Sequence, residues 1–168
     1  GKLAAQLDIS ADEAGELLST HREKVPFVKN LAELATKQAD KTGQIRTLLG
    51  RRCRFHLWEP RSFGYKKPLT YEEAFKEYGQ PLRRAFTYKA LNKLIQGSAA
   101  DQTKKAMADC YAEGLLPMLT VHDELCFSVE GDDQARRIKD IMENGLSDVL
   151  RVPSKVDDEL KDNWGEIE

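Results

Sequence analysis

Two adjacent carboxylates stand between two apolar segments in the second half of the chain. Asp123 and Glu124 follow His122 and separate the β-prone runs 115–121 and 125–129, which predicts a tight hairpin with charged groups at its tip. Mg²⁺ prefers such oxygen ligands and commonly binds one or two carboxylates together with waters and substrate phosphates. Spacing alone leaves two interpretations open, a magnesium site and an ordinary polar turn.

Other site chemistries find less support in the sequence. The three histidines, at positions 21, 56 and 122, lack the paired spacing of a zinc site. The three cysteines are odd in number, far apart and outside any CxxC pair, which argues against a disulfide framework and fits a reducing cytoplasm. No histidine or lysine general base accompanies the carboxylates at a recognisable spacing, so a nuclease-like phosphodiesterase is disfavoured.

The composition fits one soluble domain with a strongly uneven charge distribution. The 168 residues include 26 Lys+Arg and 28 Asp+Glu, and no apolar run approaches the roughly 18 residues of a membrane helix. Lys37–Lys67 contains nine basic and two acidic residues, a net charge of +7, and Arg83–Lys105 carries +5, whereas Ala106–Glu168 carries −10. This asymmetry indicates a polyanion-binding face, although an ordinary solvated surface is the alternative interpretation.

Helix and strand signals alternate along the chain and predict an α+β fold. The S-x-x-E and T-x-x-E patterns at Ser10 and Thr70 are capping boxes, Pro26 can open a helix and Gly43 can close it, and Ser98 is predicted to cap a further helix. The predicted helices cover 10–22, 26–43, 70–79, 83–95, 98–114 and 132–149. The predicted strands before the hairpin cover 44–49 and 53–58.

Two longer motifs carry a specific resemblance. The segment KALNKLIQGSAAD at 89–101, followed by LTVHDEL at 119–125, resembles the end of a family A DNA polymerase of the bacterial polymerase I or phage type. TLLGRR at 47–52 resembles the TLxGRR hairpin of that family, and 152–164 resembles its closing segment. The resemblance covers essentially the whole chain and is weakest over 58–78.

The resemblance implies the C-terminal fingers/palm portion of the right-hand polymerase fold. Helices would surround a small antiparallel sheet that carries the motif C hairpin. The chain 1–168 would be a single unit, with fingers-derived helices over about 1–50 and palm-associated elements over 51–168.

The resemblance also implies roles for individual side chains. Asp123 would bind the catalytic Mg²⁺ ions and Glu124 would assist, while His122 would lie near the primer terminus. A carboxylate standing rigidly between two ions suits the two-metal mechanism of phosphoryl transfer. Asn92 and Gln96 would share a helix face toward the primer-template, where amides can donate to minor-groove acceptors. The residues expected to contact phosphates are Arg51, Arg52, Lys89 and Lys93.

Half of the family's active site has no counterpart here. The second palm aspartate of the D-Y-S-x-I-E motif is missing, as is the fingers helix whose lysine and arginine hold the incoming dNTP. We therefore expect this chain to be inactive alone and to work with a larger chain or upstream segment, in the cytoplasm or, if phage-encoded, the host cytoplasm. A fragment and a split polymerase subunit both explain the pattern. The alternative function is a non-catalytic nucleic-acid-binding module with a vestigial acidic hairpin.

Overall fold

The computed structural model describes residues 1–62, 64 and 66–166 and has the predicted α+β class. Within these ranges, no helix is long and apolar enough to cross a membrane. The helices are α1 (Lys2–Leu7), α2 (Ala11–Lys24), α3 (Pro26–Thr42), α4 (Tyr71–Tyr78), α5 (Ala90–Ala112) and α6 (Asp132–Asn144). Among the described residues the strands form three two-stranded sheets, β1 (Gln44–Arg46) with β2 (Arg52–Arg54), β3 (Trp58–Pro60) with β4 (Leu82–Arg84), and β5 (Pro117–Val121) with β6 (Glu124–Phe127).

The chain packs into two compact units. Gly1–Ile45 and Arg52–Lys93 form the first, and Arg46–Arg51 and Leu94–Glu168 form the second. The predicted division into fingers-derived and palm-associated parts near residue 50 stays a prediction, because these units alternate along the chain and their packing identifies neither name.

Local signals set the helix ends of the first unit. Ser10 N donates to Glu13 Oε2 at 2.9 Å, which forms the predicted capping box at the start of α2. Pro26 occupies the first position of α3, and Gly43 ends that helix at φ 70°. The positive φ is what favours glycine at this position, because side chains with a Cβ rarely adopt it; a Cβ there would also lie 2.8 Å from the Arg84 guanidinium and displace it.

The predicted helix 83–95 is wrong in its first half. Leu82–Arg84 is strand β4, which pairs antiparallel with β3, and a short 3-10 helix at Thr87–Lys89 leads into α5. The Arg84 guanidinium lies 4.5 Å from the ring centroid of Trp58, the residue directly opposite it in the ladder. A cross-strand contact of this kind has no local sequence signal, and it overrides helix propensity.

The predicted break at Gln96–Gly97 is also wrong, because α5 continues through it. Ser98 is not an N-cap but an interior residue, whose Oγ donates to Leu94 O at 2.7 Å and accepts from Leu48 N at 3.1 Å. Glycine in a helix interior costs about 1 kcal/mol relative to alanine. Tertiary hydrogen bonds offset that cost here.

The last helix is shorter than predicted. α6 ends at Asn144, five residues before the predicted end at Val149, which is 38% exposed. The chain turns after Gly145 and buries Leu146 instead. The apolar pattern therefore continued beyond the helix itself.

Candidate functional site

The β5–β6 hairpin carries the candidate catalytic residues at its tip. Val121 pairs with Glu124, so the turn consists of His122 and Asp123, and Glu124 begins β6. The predicted three-residue turn is thus corrected to two. His122 adopts φ 53°, a left-handed conformation typical of two-residue hairpin turns. All three polar residues are exposed, as the sequence predicted for a charged tip.

A hydrophobic cluster supports this hairpin from below. Cys110 on α5 and Ile138 and Ile141 on α6 are buried, and Phe127 and Val129 from the end of the hairpin pack against them. Burying one aliphatic side chain contributes about 1.5–3 kcal/mol, so the base of the hairpin is firmly held. The tip therefore projects from a fixed base.

The two carboxylates are free to bind a cation. Over the described ranges, the side chains of Asp123 and Glu124 form no hydrogen bond or ion pair, and no group of three or more His, Cys, Asp or Glu residues is placed to hold a metal. Two carboxylates with open coordination suit Mg²⁺, which usually keeps several waters and takes further oxygens from phosphates. The hairpin can supply part of a magnesium site.

The predicted primer-template residues on α5 and the segment before it are exposed. Asn92 and Gln96 are four residues apart on the same helix, which places them on one face. Lys93 Nζ lies 4.9 Å from the ring centroid of Phe55, and the ammonium of Lys89 lies near two aromatic rings. These side chains can reach solvent and present donors there.

The two predicted phosphate-binding arginines of the TLLGRR motif have different environments. Arg52 is exposed and forms no ion pair with the described residues. Arg51 is turned toward α5, where its Nε donates to Asp101 Oδ1 and its Nη2 to Gly97 O, both at 2.7 Å. Its side chain remains 44% exposed. Arg51 is thus committed first to a contact within the protein.

Sequence inspection did not single out Asp101 or Ser98 as partners of the TLLGRR motif. Both are buried on α5 and both bind the 47–51 segment. The available signal was weak, since Asp101 is merely an acidic residue within a helix and its partner lies 50 residues away.

The first unit contains an open pocket of about 670 Å³ lined by residues of both basic segments. Arg83 in this pocket pairs with Glu59 at 2.9 Å, and Arg84 covers the ring of Trp58. Arg61 also lines the pocket and forms no ion pair with the described residues. Two arginines of the Arg83–Lys105 segment are therefore already engaged within the protein, so this surface offers less free positive charge than the net charge of +5 of that segment indicates.

Cys110 is fully buried, an environment that suits packing rather than nucleophilic chemistry or metal binding. Burial raises the pKa of its thiol, and the nearby carboxylates of Asp109 and Glu113 raise it further. A thiol of this kind stays protonated at neutral pH. Its role is packing beneath the hairpin.

Comparison with known proteins decides the family. The model of DNA polymerase family A matches residues 1–166. The chain belongs to DNA polymerase family A. The resemblance of the 89–101 and 119–125 motifs is therefore confirmed, and the α+β arrangement corresponds to the fingers/palm portion of this fold.

Relatives of this family A polymerase chain include phage and bacterial enzymes. It is 40% identical over 162 residues to a DNA-directed DNA polymerase of Pseudomonas phage M6, covering 96% of the chain and 21% of that protein. It is 33% identical to DNA polymerase I of Rhizobium leguminosarum, covering 98% of the chain and 16% of that protein. The chain thus spans about a fifth or less of the length of these relatives.

A solved structure shares the fold of this family A chain. It is the polymerase domain of Pol1 from M. smegmatis in complex with DNA primer-template and dNTP, with a TM-score of 0.61 and 30% sequence identity. The match covers 90% of the present chain and 25% of that one.

Proposed function

We propose that this chain supplies the motif C carboxylates and primer-template contacts of a DNA-directed DNA polymerase. One observation carries the proposal, namely that the exposed, unpaired Asp123 stands at the tip of a firmly based hairpin in a family A chain. Template-directed nucleotidyl transfer in DNA replication is the reaction that this site would serve.

Mg²⁺ is the cofactor that fits these ligands. Asp123 would contact both ions of a two-metal site, and Glu124 would assist from the first position of β6. When bound, such ions stabilise the attacking and leaving oxygens of an in-line phosphoryl transfer. The protein's own contribution is to hold the carboxylate rigidly, which the buried cluster beneath the hairpin supports.

Primer-template DNA and dNTP are the proposed substrates, by analogy with the complex of the M. smegmatis polymerase domain. His122 would lie near the primer terminus, and Asn92 and Gln96 would face the duplex. The phosphate contacts proposed from the exposed basic residues are those of Arg51, Arg52, Lys89 and Lys93.

A larger polypeptide is proposed to complete the active site with the second aspartate and the dNTP-binding helix. The hairpin strand β5 supports this proposal, because Met118 is 65% exposed and Leu119 43%, with Leu116 before them at 56%. Neighbouring exposed apolar side chains mark a surface suited to burial against a partner.

The test compares two substitutions in the assembled polymerase, meaning this chain with the polypeptide that completes its active site. Asp123→Asn should reduce primer extension about a thousandfold or more, because metal stabilisation is worth several kcal/mol. Glu124→Gln should lose less, because Glu124 begins β6 while Asp123 lies in the turn, and Glu124 is proposed only to assist the ions that Asp123 binds. Both residues are exposed, so melting temperature and DNA affinity should stay near wild type.

Asp148→Asn is the matched control, because Asp148 is an exposed carboxylate of the same unit outside the hairpin. It should extend primers at the wild-type rate. Equal losses for the two hairpin variants would contradict Asp123 as the principal ligand. An assembly that binds DNA but never extends a primer would favour the binding-module function instead.

A further inference from the structure

A partly buried ion pair joins Arg51 to α5 within the second unit. Asp101 has a side chain only 7% exposed, and its Oδ1 accepts from Arg51 Nε at 2.7 Å. Its other oxygen, Oδ2, is buried and has no hydrogen bond in the described part of the chain. The same arginine donates from Nη2 to Gly97 O at 2.7 Å. One guanidinium thus holds both a helix carboxylate and a helix carbonyl.

A second connection lies beside the first. Ser98 Oγ accepts from Leu48 N at 3.1 Å and donates to Leu94 O at 2.7 Å. The segment 47–51, hereafter the 47–51 loop, is also closed on itself. Thr47 N donates to Arg51 O at 2.9 Å, and Arg51 N donates to Thr47 Oγ1 at 3.0 Å. The loop is therefore a compact element rather than a loose connection.

Both connections reach the helical turn that contains Gln96. Their acceptors and donors on α5 are Leu94, Gly97, Ser98 and Asp101, which bracket Gln96 on both sides. Glycine lowers the conformational rigidity of a helix at this turn. The loop contacts restrict the backbone where the sequence restricts it least.

We propose that the 47–51 loop fixes this turn of α5 and so orients Gln96, with Arg51 and Asp101 as positioning residues for nucleotide addition. The inference rests on the proposed role of Gln96 at the primer-template. It differs from a phosphate contact by Arg51, because Asp101 is buried and negatively charged and cannot bind a phosphate. Removing the Asp101 charge would raise DNA affinity if electrostatics alone mattered, but lower extension if position matters.

The experiment measures kcat/KM for single-nucleotide extension by the assembled polymerase. Gln96→Ala should lose about ten- to a hundredfold, the effect of one unmade hydrogen bond in the transition state. Asp101→Asn should lower kcat/KM roughly tenfold in the wild-type background. In the Gln96→Ala background it should lower kcat/KM less than about twofold, because two changes that act through one contact are not additive. Asp109→Asn is the control, because the Lys105–Asp109 pair lies on the same helix, is more than a third exposed and does not contact the 47–51 loop, so kcat/KM should stay at the wild-type value.

Ser98→Ala provides a milder change, because alanine suits a helix interior. Ser98→Ala should lower kcat/KM about threefold in the wild-type background and should cause no further loss in the Gln96→Ala background. If Asp101→Asn does not fold, as judged by thermal melting, this variant decides alone.

The positioning role would be overturned if Asp101→Asn, or Ser98→Ala where Asp101→Asn does not fold, lowered kcat/KM by the same factor in the wild-type and the Gln96→Ala backgrounds. An unchanged rate for that variant would also overturn it. If Gln96→Ala extends at the wild-type rate while Asp123→Asn is inactive, the positioning role fails and the polymerase assignment stands.

Discussion

Truncation of Arg51 should expose the cost of leaving a buried carboxylate without a partner. Arg51→Ala removes two hydrogen bonds of 2.7 Å, each worth about 1 kcal/mol, and leaves Asp101 unpaired, which adds about 1–3 kcal/mol. These contributions sum to about 3–5 kcal/mol, and because the Arg51 side chain is 44% exposed we expect a loss in free energy of unfolding at the low end, about 3 kcal/mol. With a urea m-value of about 2 kcal/mol/M, the unfolding midpoint should fall by about 1.5 M.

Truncation of the acidic partner should lower the free energy of unfolding by less. Asp101→Ala leaves an arginine whose side chain is 44% exposed and can be hydrated, so we expect a loss of about 1–1.5 kcal/mol. The double variant should lose about 2 kcal/mol, less than the two single losses together, because it leaves no unpaired buried charge.

The assay is urea unfolding of the 168-residue chain, followed by far-UV circular dichroism at constant pH and salt. Lys105→Ala is the control, because the Lys105–Asp109 pair has the same 2.7 Å distance but both side chains are more than a third exposed. Its loss should be only about 0.3–0.5 kcal/mol. A loss below about 1 kcal/mol for Arg51→Ala, or strict additivity in the double variant, would refute a strong pair between Arg51 and the buried Asp101 carboxylate.

Three further predictions concern other parts of the chain. The 168-residue chain alone should not extend a primer, and robust extension would contradict an active site that another polypeptide must complete. Its DNA binding should be weak in a filter-binding titration, and the log of the binding constant should fall against the log of the salt concentration with a slope of about −0.9 per neutralised phosphate. Alkylation followed by mass spectrometry should modify Cys53 and Cys126 before Cys110, whose thiol is buried and has a raised pKa, and an equal rate at Cys110 would contradict the packing. Hydrogen bonds from the Thr70 hydroxyl and from the Thr70 backbone lower the pKa of Glu73. The ionised Glu73 carboxylate therefore stabilises the fold above the unfolded pKa near 4.5, and this stabilisation is lost as pH falls through the lower folded pKa. The gap in melting temperature between wild type and Thr70→Ala should therefore shrink from pH 7 to pH 3, whereas a constant gap would argue against the capping box.

Features that depend on neighbours within a few residues could be predicted from the sequence. The capping boxes at Ser10 and Thr70, the end of α3 at Gly43 and the charged tip at Asp123 all occur as expected. Each is set by hydrogen bonds or φ values over three or four positions, so the local residue types suffice. The motifs at 89–101 and 119–125 likewise sufficed for the family. The roles of the individual site residues stay predictions.

Tertiary structure alone decided the features that depend on distant partners. Leu82–Arg84 became a strand because β3 lies opposite it, and Ser98 became a helix interior residue because Leu48 donates to it. The Arg51–Asp101 pair joins residues 50 positions apart, and no local sequence pattern around either residue indicates its partner. Helix propensities differ by less than 1 kcal/mol for most residues, whereas a buried ion pair or sheet contact can outweigh several of them. The sequence alone therefore determined the acidic tip, while the packing of the folded chain determined how the helix beside the TLLGRR segment is held.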